Sequence, residues 1–260
     1  MKTMLLLFFI TGVLFMNDIE AKIRTQAVDY ESGGVKLQGY LAYDDAQKGK
    51  RPAVLIVHEW WGLNDYPKKR AEEIAKLGYV AFAADIYGKG VIAKTPDEAG
   101  KLASQFRNDR TLARKRVTAA LDVLKKNNFV DAGKIAAIGY CFGGMVALEL
   151  ARSGANIKGV VGFHTSLDTQ KPDDAKNIKG KILICTGAND KSVPPEMRQA
   201  FQKEMDNAGV DWQMDIYSGA VHAFTNPAAG SDPSKGIAYN ANADKRSWEA
   251  MKIFFNEIFK

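Results

Sequence analysis

The sequence predicts an α/β domain with a mostly parallel sheet covered by helices on both faces. Three observations carry this. Short apolar runs of strand length recur along the chain, as at Pro52–His58 and Lys134–Gly139. Amphipathic helical stretches alternate with them through the middle and end, the order that gives a parallel sheet. The chain has 260 residues, 46% of them apolar and 25% charged, enough for one large core without a second domain.

Taken in order, Gly33-Gly34 is a turn signal, and Val35–Tyr43 alternates loosely as a strand. Pro52–His58 (PAVLIVH) is a buried strand by its length and valines. Tyr66–Leu77 is a helix with one charged face, stopped by Gly78, and Tyr79–Ala84 is the next strand. Pro96–Asn127 contains a long, mostly helical stretch whose apolar face is Leu112, Val117, Ala120, Leu121 and Leu124. Lys134–Gly139 is a strand and Met145–Ala151 a buried helix. Val160–Phe163 and Ile182–Cys185 are strand cores, Pro194–Ala208 is a helix closed by Gly209, and Trp212–Tyr217 is the last strand. Asn226–Gly236 is a surface loop, and Ala243–Phe259 a closing amphipathic helix.

Residues 1–21 stand apart. Met4–Met16 is a continuous apolar run, shorter than the about 20 residues of a membrane-spanning helix. With Lys2 before it and a plausible cleavage point after Ala21, it has the order of a secretory signal peptide. The expectation is a processed protein, residues 22–260, forming one domain in the periplasm or outside the cell, without stable membrane insertion. An uncleaved anchor or a mis-chosen start codon is the competing reading, and the location is then cytoplasmic if the segment does not function. The net charge of +6 is scattered. It draws anionic molecules or surfaces without specifying nucleic acid, and nucleic acid is not expected as a partner. Two cysteines do not make a disulfide scaffold.

The chemistry begins at Gly139-Tyr140-Cys141-Phe142-Gly143, a G-x-nucleophile-x-G pattern between a predicted strand and a predicted helix. A nucleophile there sits on a sharp turn, and Gly139, Gly143 and Gly144 keep neighbouring side chains out of it. Helix N–H groups beside the sulfur favour thiolate over thiol. The Phe142 N–H is an oxyanion donor candidate. The structural alternative is a small buried cysteine in a glycine-rich turn.

Asp190 lies in the loop after Ile182–Cys185, and His222 follows the last strand. The chain order nucleophile, acid, histidine is the one expected for an α/β-hydrolase fold. His222 would take the thiol proton and later protonate the leaving alkoxide, while Asp190 would fix its tautomer. Asp168 is the fallback acid, with Asp173 and Asp174 weaker choices. Cys185 sits in an apolar strand run and belongs to the core.

The corner after the first buried strand, His58-Glu59-Trp60-Trp61-Gly62, is the second place where this fold offers an oxyanion donor, here the Trp60 N–H. Trp60 or Trp61 would wall an unsaturated ring or acyl group. Glu59 has two open readings: a gate that reaches the thiol from the side opposite His222, or the partner of a cationic side chain. His58, Glu59 and His164 match no metal-ligand spacing. His164, after a strand in GFHTSLD, either lines the pocket or is a satisfied loop histidine.

Together His58–Gly62, Asp85-Ile86-Tyr87, Gly139–Gly144, Thr186–Asp190 and His222-Ala223-Phe224 resemble the dienelactone hydrolase family, a branch of the α/β-hydrolases, over about Tyr30 to Phe259. The resemblance implies Cys141 as nucleophile, Asp190 as acid and His222 as base. It implies Trp60 and Phe142 as oxyanion donors, and Glu59 as the glutamate that holds the resting cysteine. It implies no metal or organic cofactor, and a small ester or lactone as substrate. Trp61, Tyr87, Lys89, His164, Phe224 and Asn226 are the pocket candidates. The family's well-studied lactonases clamp a substrate carboxylate with two arginines, where this chain has Tyr87-Gly88-Lys89 and Asn226. Lys89 loses the bidentate fork and Asn226 is neutral, so the dienelactone itself is in doubt as substrate. A peptidase or acyltransferase on this scaffold is the enzymatic alternative, and a non-catalytic small-molecule binding protein the other. Oligomeric state is not encoded legibly; a monomer is the simpler expectation.

Overall fold

In a computed structural model, residues 22–260 are described; the signal-like segment, residues 1–21, lies outside them. An eight-stranded sheet runs in the order β1-β2-β4-β3-β5-β6-β7-β8. Its strands are β1 (Ile23–Ser32), β2 (Val35–Asp44), β3 (Arg51–Val57), β4 (Val80–Ala84), β5 (Val130–Tyr140), β6 (Gly159–Phe163), β7 (Lys181–Gly187) and β8 (Trp212–Tyr217). β1 pairs with β2, and β2 with β4, antiparallel; from β4 to β8 every pairing is parallel. The mostly parallel sheet expected from the alternation is therefore present.

The helices are α1 (Asp65–Lys76), α2 (Pro96–Asn108), α3 (Arg110–Lys125), α4 (Phe142–Arg152), α5 (Pro195–Ala208) and α6 (Ala241–Ile258). Ile74 of α1 and Met251 and Phe255 of α6 pack on one face of the sheet with Val54, Ile56 and Leu183. Val117, Leu121, Leu148, Phe201 and Met205, from α3, α4 and α5, pack on the other face with Leu55, Val57 and Ile184. Central strands buried on both faces read as continuous apolar runs, which is why β3, β4 and β6 were visible in the sequence.

Three features differ from expectation. β1 was not predicted, because IRTQAVDYES is a polar edge strand, largely exposed. The single helical stretch from Pro96 is two helices. Asp109 ends α2 and caps α3, its carboxylate accepting the Leu112 N–H at 2.9 Å. The loop 226–236 is exposed over most of its length, but its first residue, Asn226, is buried. At its far end the Gly236 carbonyl accepts the His222 N–H.

β3, β5, β6, β7 and β8 end on the same side of the sheet, where open parallel sheets gather ligands. The crossing from β5 into α4 is so tight that a Cβ on Gly143 would lie 2.3 Å from the Val57 carbonyl oxygen. One on Gly139 would lie 2.2 Å from the Gly143 oxygen. These are backbone atoms and cannot step aside. Gly143→Ala is expected to cost at least about 3 kcal/mol. Gly100→Ala, inside α2 with nothing within 4 Å of the new methyl, should add about 0.5–1 kcal/mol. Urea unfolding of both variants checks the contrast, and equal stabilities would contradict it.

Candidate active site

Cys141 occupies the turn between β5 and α4 with φ 53° and ψ −116°, a conformation an L-residue adopts only when its surroundings enforce it. Here the glycine contacts enforce it. The turn lifts the sulfur out of the sheet to the mouth of α4. The Phe142 N–H is in the first turn of α4 and has no acceptor among the described residues, as first-turn groups lack intrahelical partners. The Trp60 N–H, at the end of β3, has none either among the described residues.

The three residues expected to act together do meet. His222 Nε2 lies 3.1 Å from Cys141 Sγ, and His222 Nδ1 lies 2.9 Å from Asp190 Oδ2. Asp190 is almost fully buried, and its other oxygen accepts the Ser192 N–H at 2.8 Å. Burial alone would lower the basicity of His222. The negative charge of a Cys141 thiolate and the Asp190 carboxylate outweigh it and raise the imidazole to about 10. The arrangement therefore favours a positively charged ring beside the sulfur.

Asp168, the fallback acid, is bound to Arg110 at 2.6 Å instead. Asp173 pairs with Lys176, and Asp174 with Arg114. Cys185 is fully buried in β7 with the Tyr217 hydroxyl 3.7 Å away, and both thiols are free.

Glu59 is 4% exposed. Its Oε2 accepts a hydrogen bond from Asn226 Nδ2 at 2.7 Å, whereas the hydrogen-bond partner of the thiol is His222. The gating contact with sulfur implied by the resemblance is thus not the one formed; the glutamate's partner is a neutral amide. Burial pushes Glu59 up to about 7, with Asn226 and the positive charges of His222 and Arg70 pulling the other way.

The residues meet in a cleft of about 1080 Å³. Trp60, Trp61, Phe142, Met145 and Ile237 give it apolar walls, and Asn226 lies beside Glu59 in its lining. Of the other pocket candidates, Tyr87, His164 and Phe224 are buried behind the wall. Tyr87 donates its hydroxyl to the Trp60 carbonyl at 3.0 Å, and His164 packs edge-on against His222. Contrary to expectation, Lys89 pairs with Asp29 at 2.7 Å and is not part of the cleft. Its short loop carries it toward β1, an element the sequence did not reveal. The cations that do line the cleft are Lys94, Arg107 and Arg110. Sequence spacing gave no sign of them, because they come from α2, α3 and the loop before α2.

A polar chain behind His222 was also missed. Arg70 of α1 donates to the Thr225 carbonyl at 2.8 Å and to Asp244 at 2.6 Å. The Tyr66 and Thr225 hydroxyls are 2.6 Å apart, and His164 Nε2 is 2.7 Å from Thr225 Oγ1. This chain ties the segment carrying His222 and Asn226 to α1 and α6.

Chains of known proteins resemble this one along most of its length. The family model described as "Dienelactone hydrolase family" matches residues 37–259. Protein usf of Aquifex pyrophilus is 32% identical over 238 residues, covering 89% of this chain and 98% of usf. Among solved structures, the dienelactone hydrolase-like promiscuous phosphotriesterase P91 from metagenomic libraries is 39% identical with a TM-score of 0.86. The structure called m3DLH is 40% identical with a TM-score of 0.88. Each covers 92% of this chain, which in turn spans 99% of each.

A carboxyl group raised by burial makes the folded state bind a proton that the unfolded chain has released, so stability falls as pH rises from the ordinary glutamate range through about 7. Between pH 5 and 8 the protein should lose about 2 kcal/mol relative to Glu59→Gln. Parallel stability curves for the two proteins would refute this account of Glu59.

Proposed function

This chain belongs to the dienelactone hydrolase family, and we propose that it opens small carboxylic esters or lactones through a Cys141 acyl-enzyme. The observation that carries the reading is the continuous contact from Asp190 through His222 to the sulfur, at 2.9 and 3.1 Å. The thiolate attacks the carbonyl carbon, and the oxygen takes up negative charge facing the Trp60 and Phe142 N–H groups. The intermediate collapses as His222 protonates the leaving alkoxide. His222 then takes a proton from water, which attacks the thioester and releases the acid. Asp190 holds Nδ1–H throughout, keeping Nε2 directed at sulfur and stabilising the positive ring.

The apolar cleft walls suit a compact ring or acyl group. Neither position of the lactonase clamp supplies a free cation: Lys89 is paired with Asp29 and Asn226 is held by Glu59. A carboxylate-bearing dienelactone would have to be held by other cations of the lining, Lys94 or Arg107, whereas a neutral ester or lactone needs none. Export remains part of the proposal; finding a mature N-terminus at Lys22 in a periplasmic fraction would support it, and an intact Met1 there would count against it.

A panel of p-nitrophenyl esters, simple lactones and a dienelactone tests the assignment. A phosphotriester is included because P91 is named for that activity. Cys141→Ala and His222→Ala should each lower kcat at least about 1000-fold, and Asp190→Asn by about 100-fold or more. Turnover by Cys141→Ala at the wild-type rate would overturn the mechanism.

A further inference from the structure

His58 directly follows β3 and is completely buried. Its ring lies edge-on to Tyr87 at 4.8 Å and parallel to Phe142 at 5.9 Å. It belongs to neither the triad nor the cleft lining. Both of its nitrogens are nevertheless in use. The Ile86 N–H donates to Nε2 at 3.2 Å. A backbone N–H can only donate, so Nε2 carries no proton and the ring is the neutral Nδ1–H tautomer. That Nδ1–H donates to the Glu59 carbonyl at 2.6 Å. Burial acts in the same direction, holding the ring neutral.

The Glu59 carbonyl and the Trp60 N–H belong to one peptide unit. In a planar trans peptide the two point in opposite directions, and no peptide bond here is cis. The carbonyl also accepts the Gly62 N–H at 3.3 Å, but His58 holds it at the shorter distance; drawn that way, it turns the Trp60 N–H the other way, without an acceptor among the described residues. The next carbonyl, that of Trp60, is held by the Tyr87 hydroxyl at 3.0 Å. The corner is thus fastened on both sides of the N–H. A hydrogen bond accepted by a peptide carbonyl also polarises the N–H of the same peptide, making it a stronger donor.

We propose that His58 is a positioning residue of the oxyanion hole: its Nδ1–H orients and polarises the Glu59–Trp60 peptide so that the Trp60 N–H faces the reacting carbonyl. The inference rests on the reading of Trp60 as an oxyanion donor in a Cys141 enzyme. It concerns a step in which oxygen gains charge, and so separates from steps that need only the thiolate. Alkylation of sulfur by iodoacetamide displaces iodide and builds no oxyanion.

Two substitutions divide the functions of the ring. Asparagine places an amide where Nδ1 stood, keeping a donor for the Glu59 carbonyl and leaving the Ile86 N–H without its partner. Glutamine places its amide near Nε2, keeping the Ile86 contact and removing the donor to Glu59. For His58→Gln the expected result is kcat on p-nitrophenyl acetate about 10- to 100-fold lower with KM within threefold. Iodoacetamide labelling of Cys141 should stay within twofold of wild type. His58→Asn should keep kcat within about fivefold while unfolding at lower urea. Cys141→Ala serves as the labelling blank, Cys185 being buried. Wild-type kcat in His58→Gln overturns the inference. So does an equal loss in both variants, or a parallel fall of ester turnover and alkylation. Persistent ester turnover in Cys141→Ala would instead strike at the nucleophile assignment itself, whatever His58 does.

Discussion

Cys141 meets His222 because the backbone is forced through φ 53° at the end of β5, and that turn exists only where three glycines let α4 descend against β3 and β6. Each missing Cβ would strike something specific. Gly139 faces the Gly143 backbone, Gly143 the Val57 and His58 carbonyls, and Gly144 the Thr165 side chain. The strain at the turn is sustained by a helix buried along its whole length and stitched to the rest of that face. Arg152, completely buried in α4, is satisfied by Glu149 at 3.2 Å and by Glu204 at 2.8 and 2.9 Å. Packing energy held far from the sulfur thus maintains the sulfur's position.

The electrostatics of the site follow from that position. A half-buried imidazole with the Cys141 sulfur at one nitrogen and a buried carboxylate at the other has its basicity raised to about 10. Glu59 is a second buried carboxyl nearby, and its partner is the amide of Asn226. A positive partner at 226 would stabilise the carboxylate; the neutral amide leaves burial dominant and the proton easily retained. At the position where the resemblance implies a gating glutamate, Glu59 pairs with Asn226, while the sulfur pairs with His222.

The oxyanion corner and the histidine segment are both fastened by residues without a place in the bond-making steps. His58 and Tyr87 hold the carbonyls flanking Trp60 N–H. Arg70, Tyr66 and His164 hold Thr225, between His222 and Asn226 in the same loop. Loops carry reactive groups accurately only when such contacts remove their freedom. Here the contacts come from α1 and from just beyond the ends of β3, β4 and β6, so the site draws on most of the sheet.

The alternation of apolar runs and amphipathic helices, the glycine-flanked cysteine and the order of Cys141, Asp190 and His222 were legible in the chain itself. Burial on two faces imposes composition, and a tight turn imposes residue size; both constraints are local and leave a local trace. Strand β1 left little trace because an exposed edge strand is polar. The break at Asp109 was legible only as a capping residue inside a helical pattern. What tertiary structure alone decided was partnership: Asn226 rather than sulfur at Glu59, Arg110 as the partner of Asp168, and Asp29 as the partner of Lys89. Those choices depend on distances between elements far apart in sequence. A hydrogen bond is made or lost within less than an ångström, a precision that spacing along a chain does not carry.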